Sequence, residues 1–250
     1  MTLSTEAMKE VLCADPSRPA IRHQVIMVSG ASPGAGKSTL SAMLAHDLTQ
    51  HGIPTNWLSE DDLLELELFA RFDQELGNND LHAIDSLFKG ARTLFANDDG
   101  TGRMWITDAL LPGFFWLLGR YPIERVAAFG DALARLLRPL QPIIVYLAGD
   151  VAELFGRAIS KRGLLWGERM IAAFQRWDLP YYPEMPLRDL DDVVRFLEWL
   201  NRHTLALLAA WPGETLILDT THTPVPELKE RLLTYLYRSE QNLGFRAGTK

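Results

Sequence analysis

Gln24-Val25-Ile26-Met27-Val28-Ser29-Gly30-Ala31-Ser32-Pro33-Gly34-Ala35-Gly36-Lys37-Ser38-Thr39 decides the fold. Its first five residues form an apolar run rich in β-branched side chains, which reads as a buried strand. Past Thr39, Leu40, Met43, Leu44 and Leu48 recur at i, i+3, i+4 and i+8, one face of a helix that stops near Gly52. A glycine-rich loop between a strand and a helix is the context in which backbone N–H groups cradle phosphates. Ser32 through Thr39 are therefore the expected nucleotide contacts. Gly34 and Gly36 allow the close backbone approach, Lys37 reaches the β- and γ-phosphates, and the Ser38 hydroxyl is a ligand for Mg²⁺. In the pattern G-x-x-x-x-G-K-[ST] the first glycine falls on Ala31; the glycine here stands one residue earlier, at Gly30.

Working outward, four more apolar runs read as strands: Thr55 to Leu58, Met104 to Thr107, Ile143 to Leu147 and Thr215 to Leu218. Helical patterns separate them. Two lie within Leu63 to Ala96, ahead of the turn-rich Asn97 to Gly102; others cover Ile123 to Leu137, Ala152 to Ser160, Leu190 to Ala210 and Pro226 to Tyr237. Strands alternating with helices predict an α/β fold with a parallel sheet covered on both faces. The domain expected is residues 23–250, with helical insertions and a lid at about 156–170. Residues 1–22, which mix Glu6, Lys9, Glu10 and Asp15 into apolar positions, read as a leader to a cytoplasmic protein.

Composition narrows the class. Apolar residues make up 47% of 250, enough for a sizeable core, and no apolar run nears the roughly 20 residues that span a bilayer. Cys13 stands alone, which rules out an internal disulfide and a cysteine-based metal cluster. A net charge of −7 argues against a nucleic-acid surface, which needs a basic face. ATP is still a fitting ligand, because the loop supplies its own local positive potential.

Phosphoryl transfer also needs an acceptor site, with a carboxylate for the acceptor's proton. The second strand runs into Ser59-Glu60-Asp61-Asp62, and ligands of open α/β sheets sit at the carboxyl ends of strands. Asp61 is the first candidate base and Glu60 and Asp62 its competitors; the alternative use of such acids is to cap the next helix. Asp108, ending the third strand, is placed to hold Mg²⁺ through its water shell or else to serve as a turn residue, and Asp219 after the fifth strand is a second candidate. Following the fourth strand, Arg157 and Lys161 share a helix face, and Arg162 precedes Gly163. These cations fit a lid over the phosphates. Trp105, Phe114, Phe115 and Trp116 are either pocket lining or core. The histidines lack metal-ligand spacing.

Gly34 to Thr39, Asp61, Asp108 and Arg157…Lys161-Arg162-Gly163 follow successive strands in an order that resembles P-loop kinases. That group includes nucleoside and nucleotide monophosphate kinases, uridine-kinase-like enzymes, and small-molecule kinases of the chloramphenicol phosphotransferase and zeta-toxin type. The segment from Tyr146 to Gly163 is similar to the start of the lid in thymidylate and deoxynucleoside kinases. The resemblance spans Gln24 to Leu236. It implies a five-stranded sheet in the order 2-3-1-4-5, ATP and Mg²⁺, Asp61 as base, and Arg157, Arg162 or Arg169 as lid arginines. Deoxynucleoside kinases carry Asp-Arg-Ser after the third strand, whereas here Ala109 and Leu110 follow Asp108; Arg103 and Arg120 are the nearest replacements.

Between Leu63 and Gly102 the cations are Arg71, Lys89 and Arg92, too few to surround an acceptor's own phosphate. The expected partner is thus a small molecule with a neutral hydroxyl, without nucleic acid or membrane, and with a homodimer as an allowed assembly. The contrasting expectation is a nucleotide-dependent switch or regulatory NTPase. A switch would be expected to carry Asn-Lys-x-Asp or a third strand ending Asp-Glu, and the sequence has neither.

Overall fold

The computed structural model describes residues 21–78, 80, 82–96, 103–108, 117–184 and 186–238. The turn-rich 97–102, Ala109, Leu110 and the aromatic triplet Phe114, Phe115 and Trp116 lie outside them. Chain order is β1 (Val25–Gly30), α1 (Lys37–Gln50), β2 (Thr55–Leu58), α2 (Glu60–Glu65), α3 (Glu67–Gly77), α4 (Ala83–Ala96), β3 (Met104–Thr107), α5 (Ile123–Leu137), β4 (Ile143–Ala148), α6 (Val151–Arg162), α7 (Leu164–Gln175), α8 (Leu190–Ala209), β5 (Glu214–Asp219) and α9 (Val225–Arg238).

The five strands form one sheet in the order β2-β3-β1-β4-β5, every pair parallel. Burial explains which strands are central. Val25 to Val28 of β1 and Ile143 to Leu147 of β4 are inaccessible to solvent, as an inner parallel strand covered on both faces requires. At the β5 edge Ile217 is half exposed. Register is set by Met27 opposite Thr107 on one side and Ile144 on the other. It brings the ends of β1, β3 and β4, and hence Gly30, Asp108 and Gly149, to one rim.

Helix starts are chemically distinct. Asp150 caps α6 by accepting from the Glu153 N–H at 2.9 Å, and Asp189 caps α8 through the Asp192 N–H at 2.8 Å. α1 begins after Gly36 with neither a side-chain cap nor an acid in its first turn. Its orphan N–H groups face the loop. His23–Lys229 form one compact unit, which contains all the site residues discussed below.

Candidate functional site

The loop's geometry follows from two glycines. Gly34 and Gly36 have φ of 89° and 90°, a region that side chains disfavour. A Cβ on Gly34 would also stand 2.1 Å from the Leu154 carbonyl oxygen, so the loop lies directly on α6. Ala31 has no such requirement: among the described residues, Gln141 is the sole non-glycine with positive φ. Ala31 is buried and donates its N–H to the Leu147 carbonyl at 3.0 Å. The tight position is Gly30, where a Cβ would meet the Ala35 Cβ at 3.1 Å and Leu147 at 3.2 Å. The one-residue shift of the motif's first glycine thus matches where the packing is close.

Above this loop opens a cleft of about 610 Å³, within the range of small-molecule sites. Its floor is the loop from Ser32 to Ser38 with Thr39; Glu60, Arg157, Lys161 and Arg162 line it from other elements. Sheet order fixes its two ends. Glu60 follows β2 and lies on the β2–β3 side of the loop, while Arg157 follows β4 and Val225 follows β5, on the opposite side.

The three acids after β2 have separate surroundings. Asp62 and Ser59 form a reciprocal cap: the Asp62 carboxylate accepts from the Ser59 N–H at 3.0 Å and hydroxyl at 2.7 Å, and the Asp62 N–H donates to the Ser59 oxygen at 3.1 Å. These bonds hold the Asp62 pKa below the usual carboxylate range. With the helix phase fixed by that box, Asp61 is exposed and absent from the lining, and Glu60 faces the cleft. Burial raises the Glu60 pKa, with Asp108 and Asp61 adding repulsion and Lys37 and Arg162 pulling it back.

Lys37 is half-buried, and desolvation lowers its pKa against the opposing pull of Glu60 and Asp108. Asp108 is 1% exposed, and neither carboxylate oxygen has a hydrogen-bond partner. Burial raises its pKa; the nearby Ser38 hydroxyl and Lys37 ammonium lower it again. A buried carboxylate that the Ser38 hydroxyl and Lys37 compensate only in part is costly unless a further cation occupies the space. Ser38 and Asp108 accordingly fit a Mg²⁺ ion, a hard cation that takes oxygen ligands and keeps several waters. Asp219 is differently employed, its Oδ1 accepting from the Thr221 N–H at 2.8 Å in the turn after β5. Among the described residues no cluster of three or more histidine, cysteine or acidic side chains forms a metal site.

Arg157 donates to the Thr220 carbonyl at 3.0 Å, to the Thr221 carbonyl and to Glu153 at 2.5 Å. It therefore ties α6 to the turn after β5 while still lining the cleft. Arg162 stacks over Trp166, 4.8 Å from the ring centroid. Arg169 and Arg103 are exposed, and neither lines the cleft. Trp105 packs edge-on against Phe95 at 6.0 Å, a core contact. Arg120 is buried, donates to the Leu76 carbonyl at 2.7 Å and lies 4.4 Å from the Trp177 centroid; desolvation pushes its pKa down to about 10.

One wall was not anticipated from the sequence. Trp166, Met170, Ala173, Phe174 and Trp177 all line the cleft. Their spacing of 4, 3, 1 and 3 was the available signal for an apolar helix face.

Sheet order, loop conformation and cleft together define an α/β P-loop fold of the NTPase type. No family model matches the chain, and no curated protein matches it. Among solved structures it is similar to that of APE1195, at 15% identity and TM-score 0.48, covering 88% of this chain and 97% of the other. The YorR protein from Bacillus subtilis, in complex with phosphorylated GDP, is similar at 15% identity and TM-score 0.48, over 87% of this chain and 98% of its own. Deoxyadenosine kinase from M. mycoides with bound dATP is similar at 17% identity and TM-score 0.49, over 85% and 98% respectively. Such identities leave the substrate of this chain to its own residues.

Proposed function

We propose that the protein is an ATP-dependent phosphotransferase that moves the γ-phosphate to a hydroxyl of a small molecule. The observation carrying this reading is Glu60: a desolvated carboxylate that lines the phosphate-loop cleft from the side away from Arg157 and Val225. A nucleotide switch needs no such group on the acceptor side.

In this reading the loop N–H groups and Lys37 hold the β- and γ-phosphates, and the open N-terminus of α1 faces the same charge. The segment 156–170 acts as lid. Arg162, fixed against Trp166, stabilises charge on the phosphoryl group in flight, while Arg157 fixes the nucleoside side of the cleft. Ser38 and Asp108 would hold Mg²⁺, which when bound supplies charge neutralisation between the phosphates. The acceptor oxygen attacks the γ-phosphorus, the bond from that phosphorus to the β–γ bridging oxygen breaks, and the acceptor proton passes to Glu60. Products are ADP and a phosphate monoester. A carboxylate with a raised pKa is a better proton acceptor than an exposed one, provided it is ionised at the working pH. For that reason the base assignment moves from Asp61 to Glu60.

The test is ADP formation with and without hydroxyl acceptors, with product analysed for a new phosphate ester. Turnover that is equally fast without an acceptor would support a switch instead.

A further inference from the structure

The cleft is chemically divided. Its cations, Lys37, Lys161, Arg162 and Arg157, come from the phosphate loop and α6. The wall from α7 onward carries none. Trp166, Met170, Ala173 and Phe174 fall within about 100° of arc on a helical projection of α7, one continuous stripe that Trp177, just past the helix end, extends. Four of them, all but Phe174, are only half-buried, so each keeps surface that no protein group covers.

This stripe is held along one edge and at its ends. Gly167 lets α7 approach its neighbours so closely that a Cβ there would stand 2.6 Å from the Ile159 side chain and 3.0 Å from that of Leu190. Phe174 packs edge-on against Phe196 of α8 at 5.4 Å. Trp166 sits between Phe155, at 5.9 Å, and the Arg162 guanidinium. Trp177 is braced by Phe174 at 4.9 Å and by Arg120. Apolar surface fixed in place and left open to a cleft is a binding wall, because its rings are already ordered before a ligand arrives.

Its position is on the acceptor side. Trp177 touches Arg120, which comes from the connection after β3, and Glu60 follows β2, the neighbour of β3. The nucleoside side is the other one, where Arg157 meets the turn after β5. Among the described residues, the charged side chain that lines the cleft from the β2–β3 side is Glu60, which is negative; Lys37 and Arg162 act on it from the phosphate side. Arg120 does not line the cleft; it is buried against Trp177 and the Leu76 carbonyl.

We infer that the acceptor is an uncharged alcohol with an apolar or aromatic body, which lies against the α7 stripe and presents its hydroxyl to Glu60. This rests on the phosphotransferase reading, and it excludes acceptors that carry their own phosphate. A second anion beside Glu60 would meet its repulsion, and the cations near Glu60, Lys37 and Arg162, are the ones the triphosphate takes in this reading. The reaction is then ATP plus ROH giving ADP, the monoester ROPO₃²⁻ and a proton first taken up by Glu60.

The experiment compares 3-phenyl-1-propanol, glycerol, thymidine and thymidine monophosphate as probes of the full chain. Phosphoryl transfer is followed by ³¹P NMR, and binding by calorimetry with a non-hydrolysable ATP analogue present. Transfer to 3-phenyl-1-propanol at the highest kcat/KM of the set is expected. Met170→Glu should raise its KM by at least tenfold, and Met170→Gln by less, with the KM for ATP within about twofold; melting temperatures of both variants check folding. Thymidine monophosphate or glycerol as the preferred acceptor would overturn the inference and leave the kinase reading standing. Binding of 3-phenyl-1-propanol that Met170→Glu abolishes, without transfer to any probe, would keep the apolar site and refute the kinase. Neither binding nor transfer of 3-phenyl-1-propanol would overturn the inference.

Discussion

Replacing Asp108 by asparagine should make the nucleotide-free protein more stable while disabling it. Asp108 is 1% exposed, and burial outweighs the pull of the Ser38 hydroxyl, the Lys37 ammonium and the Glu60 backbone N–H, so in the empty site its charge is only partly compensated. A buried unsatisfied group costs about 1–3 kcal/mol, more when charged. Asparagine keeps the shape and part of the polar cost and loses the charge. The opposing effect falls on Lys37, which loses one of two attractive carboxylates. Lys37 keeps Glu60, the stronger of the two, so the Asp108 side wins. A net gain of about 1–2 kcal/mol is expected, or roughly 2–8 °C in melting temperature for a chain of this size.

The pH dependence gives the sign a second check. Because the folded-state pKa of Asp108 is raised, its contribution to stability is full at low pH and is lost as pH rises through that raised value. Wild type and Asp108→Asn should therefore melt together in acid and diverge upward from the ordinary aspartate range, about 3.9. Differential scanning fluorimetry in EDTA across pH reads this directly. Adding ATP and Mg²⁺ should stabilise wild type and do much less for the variant. A variant that is less stable in EDTA at neutral pH, or a gap that does not change with pH, would refute the reasoning.

Glu60→Gln should lower acceptor phosphorylation by about 10²- to 10⁴-fold, while Asp61→Asn changes it by only a few-fold. The wild-type rate should climb with pH through a value above the ordinary glutamate range of about 4.3, since Glu60 acts once ionised, and that limb should vanish in Glu60→Gln. Lys37→Ala should cut turnover by more than ~10²-fold, yet leave the melting temperature of the empty protein unchanged or higher, because burial already disfavours that ammonium. Gly34→Ala should cost at least about 1–2 kcal/mol from backbone strain alone, with the Leu154 clash added, and weaken ATP binding. Gly156→Ala, mid-helix in α6 with nothing within 4 Å of the added Cβ, should instead stabilise by about 0.5–1 kcal/mol in thermal melts.

What the sequence could reveal depended on the range of the interaction. The loop from Ser29 to Thr39 is local chemistry, and so are the strands, whose ends agree with the sheet to within a residue or two. Ala31 departs from the motif, and the close contact falls instead at Gly30, the position whose packing favours a glycine. The choice among Glu60, Asp61 and Asp62 turned on helix phase, which one residue alters. A signal for it existed: Ser59-x-x-Asp62 is a capping box, and recognising it would have assigned Asp62 to the cap and left Glu60 on the inner face. Two of the partners of Arg157 are carbonyls at Thr220 and Thr221, 63 and 64 residues away, beyond any local pattern.

The α7 stripe shows the same limit from the other side. Its periodicity is visible in Trp166 to Trp177, and periodicity alone says that a helix buries this face. Most such faces meet another element of the core. Gly167 and Phe174, seven residues apart and so on one side of α7, are the positions that meet Ile159, Leu190 and Phe196. A small residue marks the side of closest helix approach, and Trp166, Met170 and Ala173, roughly a quarter-turn round from it, border the cleft instead. Reading both signals together, bulky stripe and the glycine at its edge, separates a pocket wall from a core face where hydrophobicity by itself cannot.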